Sequence, residues 1–423
     1  MEKINHKLIA LLSCTLAFAS TAQAETLDDV FVKVLASNPT VLSSYKNVSI
    51  AEEGITQAKG DFYPTLSAIG SITDSSSDYK NQSETHNTPK MAGVTFSQPL
   101  FAGGRIYSGF QVAQNTYFSA KATHESTVQK TLNSLVKAYI GVLTAKDVLS
   151  LQENQVKLLQ QQMKMTNARF KQGEITKTDV MQATARLALA NADSLQAAGD
   201  YRTAQTILET LVGHKVQNLS WPTINFDLPL KYTEELKETT LNTHPNVAAS
   251  LALLNSKKQA ITTAKSAHYP QFNAVASYTN NTDTSSGDYE NKQIGVEFTM
   301  PLFQGGKTLS RVRSSIAAKE QAYQNYEQVK RDVTANLVDA TQLYSTSLAT
   351  LEAFKENEQA AKRAEEGVEK EQMAGERTVL DLLDARQELL QARVNVTRSK
   401  GSVVAQAYNL LSAMGTLNSI IAK

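Results

Sequence analysis

Cysteine, proline and long apolar runs are all scarce in this chain, and each scarcity excludes something. Its 423 residues include one cysteine, Cys14, and nine prolines. Cys14 lies within residues 1–24, where Lys3 and Lys7 precede the apolar run Leu8 to Ala19 and Ala22-Gln23-Ala24 offers a small-residue cleavage site. This is the pattern of a secretory signal. A chain cut after Ala24 has no thiol, which rules out a disulfide framework and cysteine metal sites. The cut also lowers the formal charge from +1 to zero. A neutral chain without basic clusters argues against nucleic acid as a partner. After the signal, no stretch approaches the ~20 apolar residues of a membrane-spanning helix. If the exported chain enters a membrane, it must do so as a β-barrel, since only helices and closed barrels satisfy the backbone in lipid. His86, His124, His214, His244 and His268 are scattered, with no metal-ligand spacing and no nucleophile-base grouping. The expectation is no enzyme, no metal and no cofactor.

What the chain does have is a sentence said twice. Gln98-Pro99-Leu100-Phe101-Ala102-Gly103-Gly104-Arg105 returns as Met300-Pro301-Leu302-Phe303-Gln304-Gly305-Gly306-Lys307. Pro tolerates the end of a strand, and paired glycines permit a sharp change of direction. Each copy therefore reads as a junction where a strand hands over to a helix. The alternative, a phosphate-binding loop, lacks the required spacing. Other landmarks repeat as well. Asn38-Pro39 matches His244-Pro245 and Tyr63-Pro64 matches Tyr269-Pro270 at an offset of 206, while Gly173/Gly375, Asp179/Asp381, Ala183/Ala385 and Gly213/Gly415 match at 202. A shared period of this kind marks a tandem duplication. The repeats are placed at 25–212, with a hairpin about 63–101, and 244–415, with a hairpin about 269–303; a linker (213–243) joins them and a tail (416–423) follows.

Each repeat holds two strand candidates: Thr65 to Thr73 and Met91 to Gln98, then Gln271 to Thr279 and Gln293 to Met300. Ile294, Val296, Phe298 and Met300 alternate with Gln293, Gly295, Glu297 and Thr299, as in a barrel strand crossing an outer membrane. About eight strands are needed to close even a small barrel, so four per chain imply that several chains pool them. Two proline-free runs follow the junctions. Gly104 to Gln172 as helix would reach about 100 Å. Its apolar positions Val128, Leu132, Leu135, Tyr139, Val142, Leu149, Val156, Met163 and Phe170 have coiled-coil spacing, with Lys146, Glu153, Gln160 and Asn167 expected on the same seam. In the copy the stripe is Tyr326, Val333, Leu337, Ala340, Tyr344, Leu351 and Phe354. Gly173 and Gly375 permit turns into returning helices, near whose starts stand Thr178 and Thr378. The only tryptophan, Trp221, sits in the linker, where it is expected to anchor against the helical wall.

With its paired Pro-Leu-Phe-x-Gly-Gly junctions and the run Gly375-Glu376-Arg377-Thr378-Val379-Leu380-Asp381-Leu382-Leu383-Asp384-Ala385, the chain resembles the TolC family of outer-membrane channel proteins over residues 25–415. The resemblance implies an α+β membrane protein. Three chains would pool four strands each into one outer-membrane barrel in contact with lipid, continued by a long α-helical coiled-coil tunnel. It implies a homotrimer that docks with a periplasmic adaptor and an inner-membrane transporter, in efflux or type I secretion. By position, the family's channel constriction falls at Asp381 and Asp384. Carboxylates three apart share a helix face; in three-fold rings they would favour cations and resist full ionisation. The family's gate ties fall at Arg377, Thr178 and Asp179, with Gln372 where well-known members carry tyrosine. An exported coiled-coil scaffold without a pore is the competing reading, but it leaves the alternating hairpins unexplained.

Overall fold

The computed structural model describes residues 26–78, 80, 85–216, 218–224, 226–282 and 287–418. The expected signal, with Cys14, lies outside them, as do residues 419–423 of the tail. The first repeat comprises α1 (Leu27–Ser37), α2 (Pro39–Gly60), β1 (Thr65–Ile72), β2 (Ser75–Ser77), β3 (Thr85–Asn87), β4 (Lys90–Ala102), α3 (Arg105–Lys171) and α4 (Lys177–Val212). The second comprises α5 (Glu234–Thr243), α6 (Pro245–Lys265), β5 (Gln271–Thr282), β6 (Tyr289–Thr299), α7 (Lys307–Met373) and α8 (Val379–Ala413). Apart from the short β2–β3 hairpin, the order is the same, so the duplication is one of structure. Local chemistry repeats too. The Asn38 side chain accepts the amides of Thr40 and Val41 at 2.9 and 3.4 Å to start α2. In the copy, His244 Nδ1 accepts the Asn246 amide at 3.1 Å, and in both helices proline follows the cap, where its missing N–H costs nothing.

Four strands form one antiparallel sheet in the order β1-β4-β5-β6, so the central pair joins the two repeats. The register aligns one apolar face: Leu66 stands opposite Phe96, Phe96 opposite Ala276, and Ala276 opposite Ile294. Ala68, Val94, Tyr278 and, further along, Ala274 with Val296 and Phe272 with Phe298 lie on the same side. The other face carries Ser67, Thr95, Ser277 and Gln293. The apolar face is bare: Leu66 is 73%, Val296 64% and Ile294 89% exposed. Among the described residues, β1 and β6 each pair on one side only.

The two junctions differ. The sequence expectation put Pro99 at the end of its strand, but β4 runs on to Ala102, with a register shift between Pro99 and Phe101. β1 pairs with β4 only as far as Ser97, so Pro99 lies where β4 has a neighbour on one side and a bulge, the places a sheet tolerates proline. Pro301, by contrast, lies beyond the end of β6 at Thr299. Both glycine pairs have left-handed backbone, with φ 61° and 85° at Gly103 and Gly104 and 59° and 79° at Gly305 and Gly306. The surroundings are unequal: a Cβ on Gly103 would come within 2.7 Å of Ser266 O and Tyr269 Cβ, whereas one on Gly305 meets nothing.

The chain forms two compact units, and neither is a repeat. Within the described residues, one draws on 35–134, 226–357 and 402–418, the other on 26–34, 135–224 and 358–401. The first holds the sheet. In it α3 and α6 are joined by hydroxyls, with Ser108 Oγ 2.8 Å from Thr263 Oγ1 and Ser119 Oγ donating to Ala249 O at 3.0 Å. On α7, Val333, Leu337, Ala340 and Tyr344 are buried as expected, and Tyr326, Leu351 and Phe354 are half-buried.

The second unit is built from α3, α4, α7 and α8. Ala183, Ala190 and Ala197 of α4 repeat every seventh residue and are buried. Ala190 packs with Leu159 and Leu383, and Ala197 with Val148, Leu390 and Val394. Here the seam expected on α3 is displaced. The buried stripe is Val148, Gln155, Leu159, Gln162 and Thr166. Leu149, Val156 and Met163 are half-buried and Phe170 is exposed. Lys146, Glu153, Gln160 and Asn167 all face solvent. One residue turns a helix by about 100°, so the true stripe lies one position earlier, and its glutamines hid it from an apolar search. Trp221 does anchor: its Nε1 donates to Asp147 Oδ2 at 3.0 Å and Lys400 Nζ lies 4.4 Å from its ring centroid.

Candidate functional site

Two helical turns in the second unit carry the residues singled out from the sequence, and both are made the same way. α3 closes when the Gly173 amide (φ 79°) donates to Phe170 O at 3.0 Å and the Glu174 amide to Arg169 O at 3.1 Å. α7 closes likewise at Gly375 (φ 83°), whose amide donates to Gln372 O at 3.2 Å while Glu376 donates to Glu371 O at 2.9 Å. Left-handed glycine with this bond pair satisfies carbonyls that a helix end would otherwise leave open. Gln372 thus stands in the last turn of α7, half-buried.

The returning helices open with capping boxes. Asp179 Oδ2 accepts the Thr176 amide and hydroxyl, both at 2.8 Å, and the Asp179 amide donates to Thr176 Oγ1 at 3.3 Å. Asp381 Oδ2 accepts from the Thr378 amide at 2.9 Å and its hydroxyl at 2.7 Å, with the Asp381 amide donating back at 3.2 Å. Each aspartate satisfies donors that the first helical turn exposes. The residue equivalent to Thr378 is therefore Thr176; Thr178 lies exposed inside the first turn of α4. The Thr378 hydroxyl, then its amide, then attraction from Arg377 hold the Asp381 carboxyl below the ordinary carboxylate range. Within one chain this is opposite to the direction expected of a crowded ring.

Asp384, one turn further along α8, is not a capping residue. Its Oδ1 is in short contact with Nη2 of Arg186 on α4. Arg377 Nε donates to Glu371 Oε2 at 2.9 Å, a partner within its own helical hairpin. Among the described residues the structure does not join Arg377 to Thr178 or Asp179. The most enclosed ion pair among the described residues was missed from the sequence. Arg386 of α8, its side chain 12% exposed, reaches Glu365 Oε1 at 3.2 Å, Glu369 Oε1 at 2.7 Å and Gln162 Oε1 at 3.3 Å. Further along the same hairpin Arg393 Nε lies 3.6 Å from Glu358 Oε1. A signal existed: Arg386 and Glu365, like Arg393 and Glu358, stand at nearly equal chain distances on either side of the Gly375 turn, as facing residues of an antiparallel helical pair must.

A family model for outer membrane efflux proteins matches residues 30–214 and again 236–416, once over each repeat. The chain belongs to the outer membrane efflux protein family. It is an outer-membrane channel protein serving transport out of a Gram-negative cell, and the bare apolar sheet face is the part suited to lipid. This efflux protein is 27% identical over 410 residues to the outer membrane efflux protein BepC of Brucella suis biovar 1 (strain 1330), covering 96% of this chain and 89% of that one. It is 26% identical over 419 residues to the outer membrane protein TolC of Escherichia coli (strain K12), covering 95% and 84%. In fold it superposes on the crystal structure of the Campylobacter jejuni CmeC outer membrane channel with a TM-score of 0.83 at 16% identity, covering 92% and 86%. The efflux protein therefore has the sheet-and-helix architecture of a TolC-like channel.

Proposed function

We propose that three copies of this chain pool their sheets into one outer-membrane barrel and their helices into one periplasmic tunnel. This homotrimer would serve as the exit duct of a tripartite efflux system, receiving cargo from an inner-membrane transporter through a periplasmic adaptor. The observation that carries the reading is the sheet: four strands, two one-sided edges and a continuous apolar face exposed in the single chain. Four strands cannot close alone, and an edge strand left unpaired in lipid costs several kcal/mol per orphaned group. A pore-free scaffold would leave that face with nothing to cover it. The repeats proposed at 25–212 and 244–415 each supply one strand hairpin and one pair of long helices, while α5 lies ahead of the second boundary.

Asp381 and Asp384, on consecutive turns at the start of α8, form the constriction in this reading. Arg377, with Thr178, Asp179 and Gln372, closes the gate; Arg377 would exchange its bond to Glu371 for one to a neighbouring hairpin when chains assemble. Exposed ion pairs contribute only about 0–1 kcal/mol each, which suits a latch that docking opens. Reconstitution in planar bilayers tests the scheme. Purified trimers should give a small, cation-selective conductance that rises in Arg377→Ser. Silence from both proteins would remove the pore.

A further inference from the structure

The two constriction carboxylates are alike in sequence but not in surroundings. Asp381 is engaged by neutral donors, the hydroxyl and amide of Thr378, while Arg377, the weakest influence on it, is bonded to Glu371, so no guanidinium in contact cancels its charge. Asp384 is in contact with a guanidinium. We propose that Arg186 is a selectivity-determining residue of this channel, cancelling the charge of Asp384 so that Asp381 carries the cation preference. The proposal rests on the constriction reading above and refines it.

Packing places the arginine there. Ala183 and Ala190 bury one face of α4, and Ala190 packs with Leu383, the residue before Asp384. Small residues on that face let α4 approach α8 closely, and Arg186, between the two alanines in sequence, is delivered beside Asp384. The pair remains partly hydrated, with side-chain exposures of 35% for Arg186 and 54% for Asp384. Such a pair adds little stability, but its effect on passing ions does not depend on stability. Opposite charges in contact act as a dipole, whose field fades faster than that of a lone charge. At physiological salt the screening length is about 8 Å, comparable to the reach of a narrow pore. A ring of Asp384–Arg186 pairs is thus nearly neutral to an ion on the axis, while a ring of Asp381 is not. Arg377 and Arg386, which flank Asp384 in sequence, have partners of their own: Arg377 takes Glu371, and Arg386 takes Glu365 and Glu369.

Reversal potentials of the intact trimer in a potassium chloride gradient test this. Arg186→Gln should raise the cation-to-anion permeability ratio at least twofold, and Arg186→Lys should leave it near the native value. Asp384→Asn, which bares the guanidinium, should lower the ratio, and Arg186→Gln/Asp384→Asn should return close to native. Asp381→Asn should lower it on its own. A ratio unmoved by Arg186→Gln, with both aspartate variants shifting it, would overturn the role of Arg186 and leave the constriction standing. A ratio unmoved by any variant would remove the constriction itself. If Arg186→Gln yields no trimers, Arg186→Met, which keeps an unbranched stem without the charge, is read by the same criteria.

Discussion

Replacing Arg386 with methionine should damage this protein far more than replacing the gate candidate Arg377, although both are arginines on the same hairpin paired to glutamates. The Arg377–Glu371 pair is open to water, with side chains 52% and 45% exposed. Arg386 is 12% exposed, and its partners Glu365 and Glu369 are 16% and 36% exposed. Taking one partner from a fully buried pair costs about 3–5 kcal/mol, because the remaining charge is stranded. Partial hydration of Glu369 reduces that here to roughly 2–4 kcal/mol. Arg377→Ser should cost about 0–1 kcal/mol. In thermal melts of detergent-extracted protein, the first corresponds to a fall of roughly 2–5 °C and the second to about 1 °C or less. The triple change Glu365→Gln/Glu369→Gln/Arg386→Met strands no charge and should recover most of the loss. Equal, small shifts for Arg386→Met and Arg377→Ser would refute the reasoning, as would a triple variant no better than the single one.

Three further outcomes follow from the geometry. Gly103→Ala should destabilise more than Gly305→Ala, by roughly 1–3 kcal/mol, since both positions share the left-handed strain but only Gly103 also faces a collision with Ser266 and Tyr269; paired melts of the two variants decide it. Ala190→Leu, in the space between Leu159 and Leu383, should cost about 1–3 kcal/mol by overpacking, read from the same melts. Burial, and less strongly Lys130, lowers the pKa of His244, whose Nδ1 already accepts an amide. The unfolded chain then binds the proton more readily, so stability should fall as pH drops through about 6.5, the unfolded value. His244→Asn, the residue that Asn38 supplies at the matching cap, should flatten stability between pH 7 and 5; an unchanged slope in denaturation at the two pH values would exclude His244 as its source.

Much of the architecture could be read from residues. The junction glycines, the Asn38-Pro39 and His244-Pro245 helix starts and the alternation of β6 depend on local sterics, and local sterics are written in local sequence. The α3 stripe was less legible because Gln155, Gln162 and Thr166 are buried along with Val148 and Leu159, which pack on α4 alanines, a choice that only the neighbouring helices explain. Pro99 was misplaced for a similar reason: whether proline ends a strand depends on where the partner β1 stops, not on β4 itself. At the candidate site, the glycines and aspartates were visible as repeated landmarks. Their roles as caps were missed at Thr176, although the offset that ties Gly173 to Gly375 also ties Thr176 to Thr378. Arg186 was hidden more deeply, because its partner comes from a different helical hairpin.

The central claim is that separate chains join sheet edges, and cysteine cross-linking tests it most directly. A chain cleaved after Ala24 carries no thiol of its own. Thr65, Ser67 and Ser71 of β1 would be paired as cysteines with Gln293, Gly295 and Glu297 of β6, since the inter-chain register is to be found by scanning. β1 and β6 are opposite edges of one sheet, so a bond between them must link two chains. Double variants at the right register should form oxidised species that stop at three chains, while either cysteine alone gives at most pairs. Uniformly monomeric chains across the scan, in membranes that contain the folded protein, would contradict the shared barrel.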